Sequence, residues 1–197
     1  MYLPISNITR ITNMRNIVLF ISIVLFTTLG YAQDEINDTP TVSYGIKVGI
    51  NSTQMKIVSQ SSDNTQNRSG VYFGAFVNIP SSDSFSIQPE VIYSSTDYSG
   101  NTKMNFLNIP VLLKFILANN FTGFFGPEAQ VLLDIDVAEN KELFNTFLLG
   151  FTFGANYKIT PNFYLEARPY FAFTKFLEDD SGYRKFNNLQ VGIAYKF

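Results

Sequence analysis

Residues 43–51 read Ser-Tyr-Gly-Ile-Lys-Val-Gly-Ile-Asn, so that Tyr44, Ile46, Val48 and Ile50 alternate with Gly45, Lys47, Gly49 and Asn51. A period of two sends successive side chains to opposite faces of a strand. One face of this strand is apolar and uncharged; the other is small and polar and carries one cation. The same dyad returns in seven further stretches, beginning with Val71, Phe73, Ala75 and Val77 and then Phe85, Ile87, Pro89, Val91 and Tyr93. It continues at Leu107–Phe115, at the odd positions from Phe121 to Leu133, and at Phe147–Tyr157, Phe163–Phe173 and Leu189–Phe197. Eight strands result, and no helical segment competes with them.

The connections alternate in length. Those after the second, fourth and sixth strands are short (79–84, 118–120, 159–162), whereas residues 54–69, 96–103, 134–145 and 177–188 read as longer, more polar loops. Outer-membrane barrels alternate short periplasmic turns with longer extracellular loops. With an even strand count, this pattern puts both termini on the periplasmic side and four loops outside.

The phase that faces outward decides the class. An eight-stranded lipocalin turns its apolar phase inward and wets its polar phase. Here the polar phase is mostly Gly, Asn, Thr and Ser, with isolated charges at Lys47, Glu90, Lys114, Glu128, Lys158, Glu166, Arg168 and Lys196. That is too sparse for a solvated surface, but it suits a narrow interior where acids and bases pair. The apolar phase carries no charge, as lipid contact requires, because Arg or Lys at the bilayer midplane costs about 2–4 kcal/mol. Tyr44, Phe85, Phe115, Phe121, Tyr157, Phe163, Tyr195 and Phe197 share that phase near the short-turn ends, where an aromatic girdle belongs. The fold expected is all-β: an eight-stranded antiparallel up-and-down transmembrane β-barrel over residues 43–197.

Ahead of the barrel, Arg10 and Arg15 precede an apolar run at residues 17–29, and Gly30-Tyr31-Ala32 follows it. A run of this length is too short to span a bilayer as a helix, which takes about 20 residues. A basic segment, an apolar segment and a small-residue cleavage site make a secretory signal peptide over residues 1–32, with Met14 as an alternative start. Residues 33–42 form a short polar linker containing Pro40.

Composition narrows the chemistry. The chain has 197 residues, 46% of them apolar and only 15% charged, with no Cys, His or Trp. Without Cys there is no disulfide framework, thiolate nucleophile or Cys-ligated zinc. Without His there is no Ser-His-Asp triad, imidazole base or His-ligated metal. A net charge of −2 gives no reason to expect a nucleic-acid partner. Glu90, Glu128 and Glu166 could be read as acid and base, but a barrel of this size is filled by side chains. A salt-bridge network with Lys114, Arg168 and Lys47 is the better reading. Tyr72, Phe76, Phe124, Tyr164 and Tyr170 then serve as lumen plugs. The acidic stretches at 134–136 and 178–180 lack a calcium-loop signature. No catalytic, cofactor or metal residue is expected.

Several segments resemble the PorT-like outer-membrane β-barrel family of Bacteroidota. They are Asn108-Ile-Pro-Val-Leu-Leu-Lys114, Gly45-x-Lys-x-Gly-x-Asn51, Gln88-Pro-Glu-x-x-Tyr93 and the ending Gly192-Ile-Ala-Tyr-Lys-Phe197. The resemblance implies an OmpX- or OmpA-like barrel and says little about activity. The terminal Phe197 is similar to the signal read by barrel-insertion machinery. The function expected is a non-enzymatic, porin-like barrel with a packed polar lumen, bathed by outer-membrane lipids, that gives envelope structure or contacts a protein partner through its four outer loops. The alternatives are a membrane-embedded component of a protein secretion system and a small-ligand-binding or transporting barrel. Pro89, Pro127 and Pro169 stand mid-strand in the outward phase. Proline removes a ladder donor, so these positions are expected to form bulges that aim the neighbouring acids into the lumen.

Overall fold

A computed structural model describes residues 41–59, 63–99, 102–135, 146–174, 177–179 and 182–197. The expected signal peptide and most of the linker lie outside them. The strands are β1 (Ser43–Ser59), β2 (Asp63–Ser82), β3 (Phe85–Ser99), β4 (Thr102–Ala118) and β5 (Phe121–Ile135). They are followed by β6 (Phe147–Lys158), β7 (Phe163–Ala172), β8 (Leu177–Asp179) and β9 (Gly182–Lys196). Each long strand pairs antiparallel with its predecessor, and β9 pairs with both β7 and β1, which closes an eight-stranded wall. The three-residue β8 extends one end of β9 and is additional to the eight strands read from the sequence.

The register fixes the barrel's shape. A row starting at Tyr44 runs in constant register through Val77, Pro89, Val111, Pro127, Phe151, Phe171 and Asn187. It returns to β1 at Gln54, ten residues beyond its start. At the usual 3.3 Å rise and 4.8 Å strand spacing, this stagger tilts the strands by about 40° and gives the backbone cylinder a radius of about 8 Å. A cylinder of that width has room inside for side chains and little else.

The two phases fall as the dyad requires. Tyr44, Ile46, Val48 and Ile50 are 52–65% exposed, and Phe73, Val91, Phe153 and Ile193 face out in the same way. Lys47, Glu90, Asn108, Glu128, Arg168 and Gln190 are buried inside. At the short-turn end the outward aromatics touch in series, with ring centroids 5.0 Å apart for Phe121–Tyr157, 4.9 Å for Phe163–Tyr195 and 5.4 Å for Tyr195–Phe197. The Phe197 amide donates to the Tyr44 carbonyl at 2.9 Å and seals the junction of first and last strands.

The glycines of the inward phase make room for the plugs. Tyr72 lies against Gly49 and Gly192 of the two adjacent strands, where an added Cβ on Gly49 would sit 2.7 Å from the ring and 2.6 Å from the Gly192 Cα. Phe76 covers Gly45, and Tyr170 covers Gly150. Tyr72, Phe76, Phe124 and Tyr170 are all buried, as the sequence suggests, while Tyr164 is partly exposed.

Two expectations are corrected. The prolines form no bulges. Pro127 stays paired with Phe151, and Pro169 with Leu189, in unbroken register. On its other side each proline costs the ladder two pairs, and pairing then resumes without a shift. Pro89 behaves alike between β2 and β4. A missing N–H removes a bond without adding a residue, and at Pro169 the Thr152 hydroxyl donates to the proline carbonyl at 2.9 Å. The register shifts among the described residues occur instead at Pro80/Ser82, Asp97/Ser99, Asn105/Phe106 and Ile116/Ala118. The acids face the lumen because of the dyad alone.

The second correction concerns the long connections. Residues 54–69 are mostly strand, with β1–β2 pairing continuing to Val58↔Asp63. Likewise β3–β4 pairing reaches Ser99↔Thr102, and β9 begins at Gly182 opposite Ser59. Beyond the apolar band both faces of a strand are wet, so polarity there does not indicate a loop. Residues 136–145, in the third predicted loop, lie outside the described residues.

Candidate functional site

The candidate site is the lumen, whose side chains come from every wall strand. At its centre Lys47 of β1 spends all three ammonium donors: one on Glu90 Oε1 at 2.8 Å, and two on Glu166 Oε1 and Oε2 at 2.8 and 2.9 Å. Arg168 of β7 donates from Nη1 to Glu90 Oε2 at 2.7 Å and from Nε to Gln190 Oε1 at 2.6 Å. Gln88 adds a 2.6 Å bond to Glu90 Oε1. The four ionised groups are essentially shut off from solvent, with side chains at most 2% exposed. Buried charges persist when they are paired and hydrogen-bonded, and here two acids meet two bases.

Lys114 departs from its expected role. Among the described residues it reaches no carboxylate directly, and it donates to Gln88 Oε1 at 2.8 Å. With the Asn156 amide turned to satisfy its neighbours, Asn156 accepts from Lys114 at 3.2 Å and donates to Glu166 Oε2 at 3.0 Å. Lys114 therefore joins the network through two amides, at the short-turn side of the ionic layer. Glu128 also stands apart from the ion pairs and accepts from Gln130 Nε2 at 2.8 Å. Lys47 is the hub of the network. The dyad put it in the lumen, but only the stagger of the wall brings β1, β3 and β7 to one level.

Above the ions lies an amide and hydroxyl layer. Asn51 Nδ2 donates to Thr96 Oγ1 at 2.9 Å, and Asn108 Nδ2 to Ser94 Oγ at 3.2 Å. A small chamber here is lined by Thr53, Ser94, Thr96, Gln130, Tyr170 and Asn188 and bounded by the apolar Met104, Phe106 and Phe186. Phe106 and Phe186 meet edge to face at 6.4 Å. The lumen is thus blocked by an ionic layer and, towards the other end, by apolar side chains. The carboxylates of Glu90 and Glu166 are consumed by cations. Of the two acidic stretches, Asp134 is an exposed rim residue, while Asp136 and the side chains of residues 178–180 lie outside the described residues.

Residues 31–178 match the family model described as "Outer membrane protein beta-barrel domain". Among solved structures, the attachment invasion locus protein Ail of Yersinia pestis is similar, with a TM-score of 0.51 and 11% identity, covering 80% of this chain and 100% of that one. The Neisserial surface protein NspA gives a TM-score of 0.51 at 14% identity, with coverage of 80% and 100%. At such identities the likeness concerns the fold. No curated protein matches the sequence.

Proposed function

The chain belongs to the outer-membrane β-barrel domain family, and from that premise we propose that it is a non-enzymatic barrel with a closed lumen that works through its outer rim. The observation that carries this reading is the ionic bolt from Glu90 to Arg168 inside a wall whose outward band is uncharged. A lumen so filled offers no diffusive path, so what remains for contact is the polar part of the wall beyond the band. Exposed Gln54, Thr65, Asn67 and Ser69 on β1 and β2 belong to that part. In this reading the paired extensions and their connections face the cell exterior, both termini are periplasmic, and a protein partner docks on the extensions. Phe197, at the end of the closing strand and 70% exposed, serves as the contact for insertion machinery. The finer kinship, to PorT-like barrels, rests on Asn108–Lys114 and the three companion segments.

Because the chain has no Cys, single cysteines report orientation without background. In intact cells, Asn67→Cys should react with a membrane-impermeant maleimide, and Asp83→Cys, in the β2–β3 turn, only after lysis. The reverse pattern would overturn the orientation. Equal labelling of both before lysis would overturn the outer-membrane placement of the barrel.

A further inference from the structure

Tyr170 of β7 and Asn188 of β9 stand directly opposite each other in the ladder, and both line the small chamber of the amide layer. Tyr170 is 2% exposed and packs against Gly150, where its ring leaves no room for even a Cβ. The ring therefore cannot swing away on that side. The Tyr170 hydroxyl and Asn188 Oδ1 are both shut off from bulk solvent, and neither has a hydrogen-bond partner among the described residues. Buried polar groups are normally satisfied, by protein or by an ordered water.

The chamber has room for a single water molecule. Phe106 and Phe186 contribute apolar surface to it, while Thr53, Ser94 and Thr96 add hydroxyls from β1 and β3. A cavity lined only by apolar groups stays dry, whereas a water settles where about two to four polar groups converge. A phenol that must donate and a carbonyl that must accept, set on neighbouring strands beside that space, form the two ends of a water bridge.

We propose that the chamber is a binding site for one ordered water, which accepts from the Tyr170 hydroxyl and donates to Asn188 Oδ1. Its remaining hydrogen goes to a hydroxyl of Thr53, Ser94 or Thr96, so the water ties β7 and β9 to β1 or β3. It completes the hydrogen bonding of the layer above the ions and is part of the closed lumen, since the space excludes anything larger. The site stands apart from the reading of the outer rim and holds whichever way the barrel faces.

A high-resolution crystal structure of the purified barrel tests this directly. A solvent peak within hydrogen-bond distance of both Tyr170 Oη and Asn188 Oδ1 is expected. No peak there, or a direct hydrogen bond between the two side chains, overturns the site. In solution, magnetic relaxation dispersion of the water oxygen counts long-lived internal waters and is blind to the exchange of hydroxyl protons. Thr53 is buried in the chamber wall, so Thr53→Ile fills the space with a methyl group and should lower the count by one water. An unchanged count overturns the site. The crystallographic measurement needs no variant, so it decides the question even if Thr53→Ile does not fold.

Discussion

Arg168 Nη1 on β7 lies 2.7 Å from Glu90 Oε2 on β3, four strands away in either direction around the wall. The two residues face each other across the full diameter of the barrel, so one ion pair ties opposite walls together. Removing Arg168 leaves Glu90 and Glu166 facing the single Lys47 ammonium, so one buried charge goes uncompensated, which costs about 3–5 kcal/mol. Arg168→Met should therefore unfold at markedly lower urea than the wild type in lipid vesicles, followed by the gel mobility of the folded form. Arg168→Met combined with Glu90→Gln should recover part of the loss, since the stranded charge is gone.

The outward phase makes a second prediction. Val48 is 60% exposed in the middle of the uncharged band, and Val48→Arg should cost about 2–4 kcal/mol in a bilayer. Gln54→Arg, on the same face of the same strand but beyond the band, should cost about 0–1 kcal/mol. Urea titration of both variants in one vesicle preparation checks the difference. Equal costs would mean that the band is not set in lipid.

Gly49 and Gly192 face each other between β1 and β9 under the Tyr72 ring. A methyl group on Gly49 would stand 2.6 Å from the Gly192 Cα, too close without backbone movement. Gly49→Ala should destabilise by about 1–3 kcal/mol, the usual range for overpacking. Adding Tyr72→Ala should not restore it, because the obstruction includes main chain. Thermal loss of the fast-migrating folded band measures both variants.

The prolines should prove dispensable. Pro127 interrupts the ladder towards β4 without shifting its register, so Pro127→Ala returns a donor to an existing track. A stability change of no more than about 1 kcal/mol is expected, the size of one hydrogen bond. Unfolding titration settles it, and a loss well above that would restore a geometric role for the ring.

The barrel was legible in the sequence because lipid and lumen impose opposite demands on alternate residues, from Tyr44/Gly45 to Tyr195/Lys196. The paired extensions at Gln54–Val58 and Asp63–Ser69 were not, because neither face there meets lipid and the alternation that marks a strand disappears. Pro127 misled for a local reason: a lost donor usually signals a bulge, yet here the neighbouring register carried the strand straight through. The lumen charges were identifiable one by one, but their partners were not. Lys47 meets Glu90 and Glu166 only because the wall returns to β1 ten residues up, whereas Lys114, on the same phase, ends at Gln88 and Asn156.

Single-channel recording of the purified protein in a planar lipid bilayer reads the Arg168–Glu90 closure directly. No resolved conductance from the wild type is expected, with current steps emerging only when the bolt and the apolar plug are removed together, in Glu90→Ala and Arg168→Ala combined with Phe106→Ala and Phe186→Ala. Sustained, uniform conductance steps from the wild-type barrel would contradict a lumen closed by this pair.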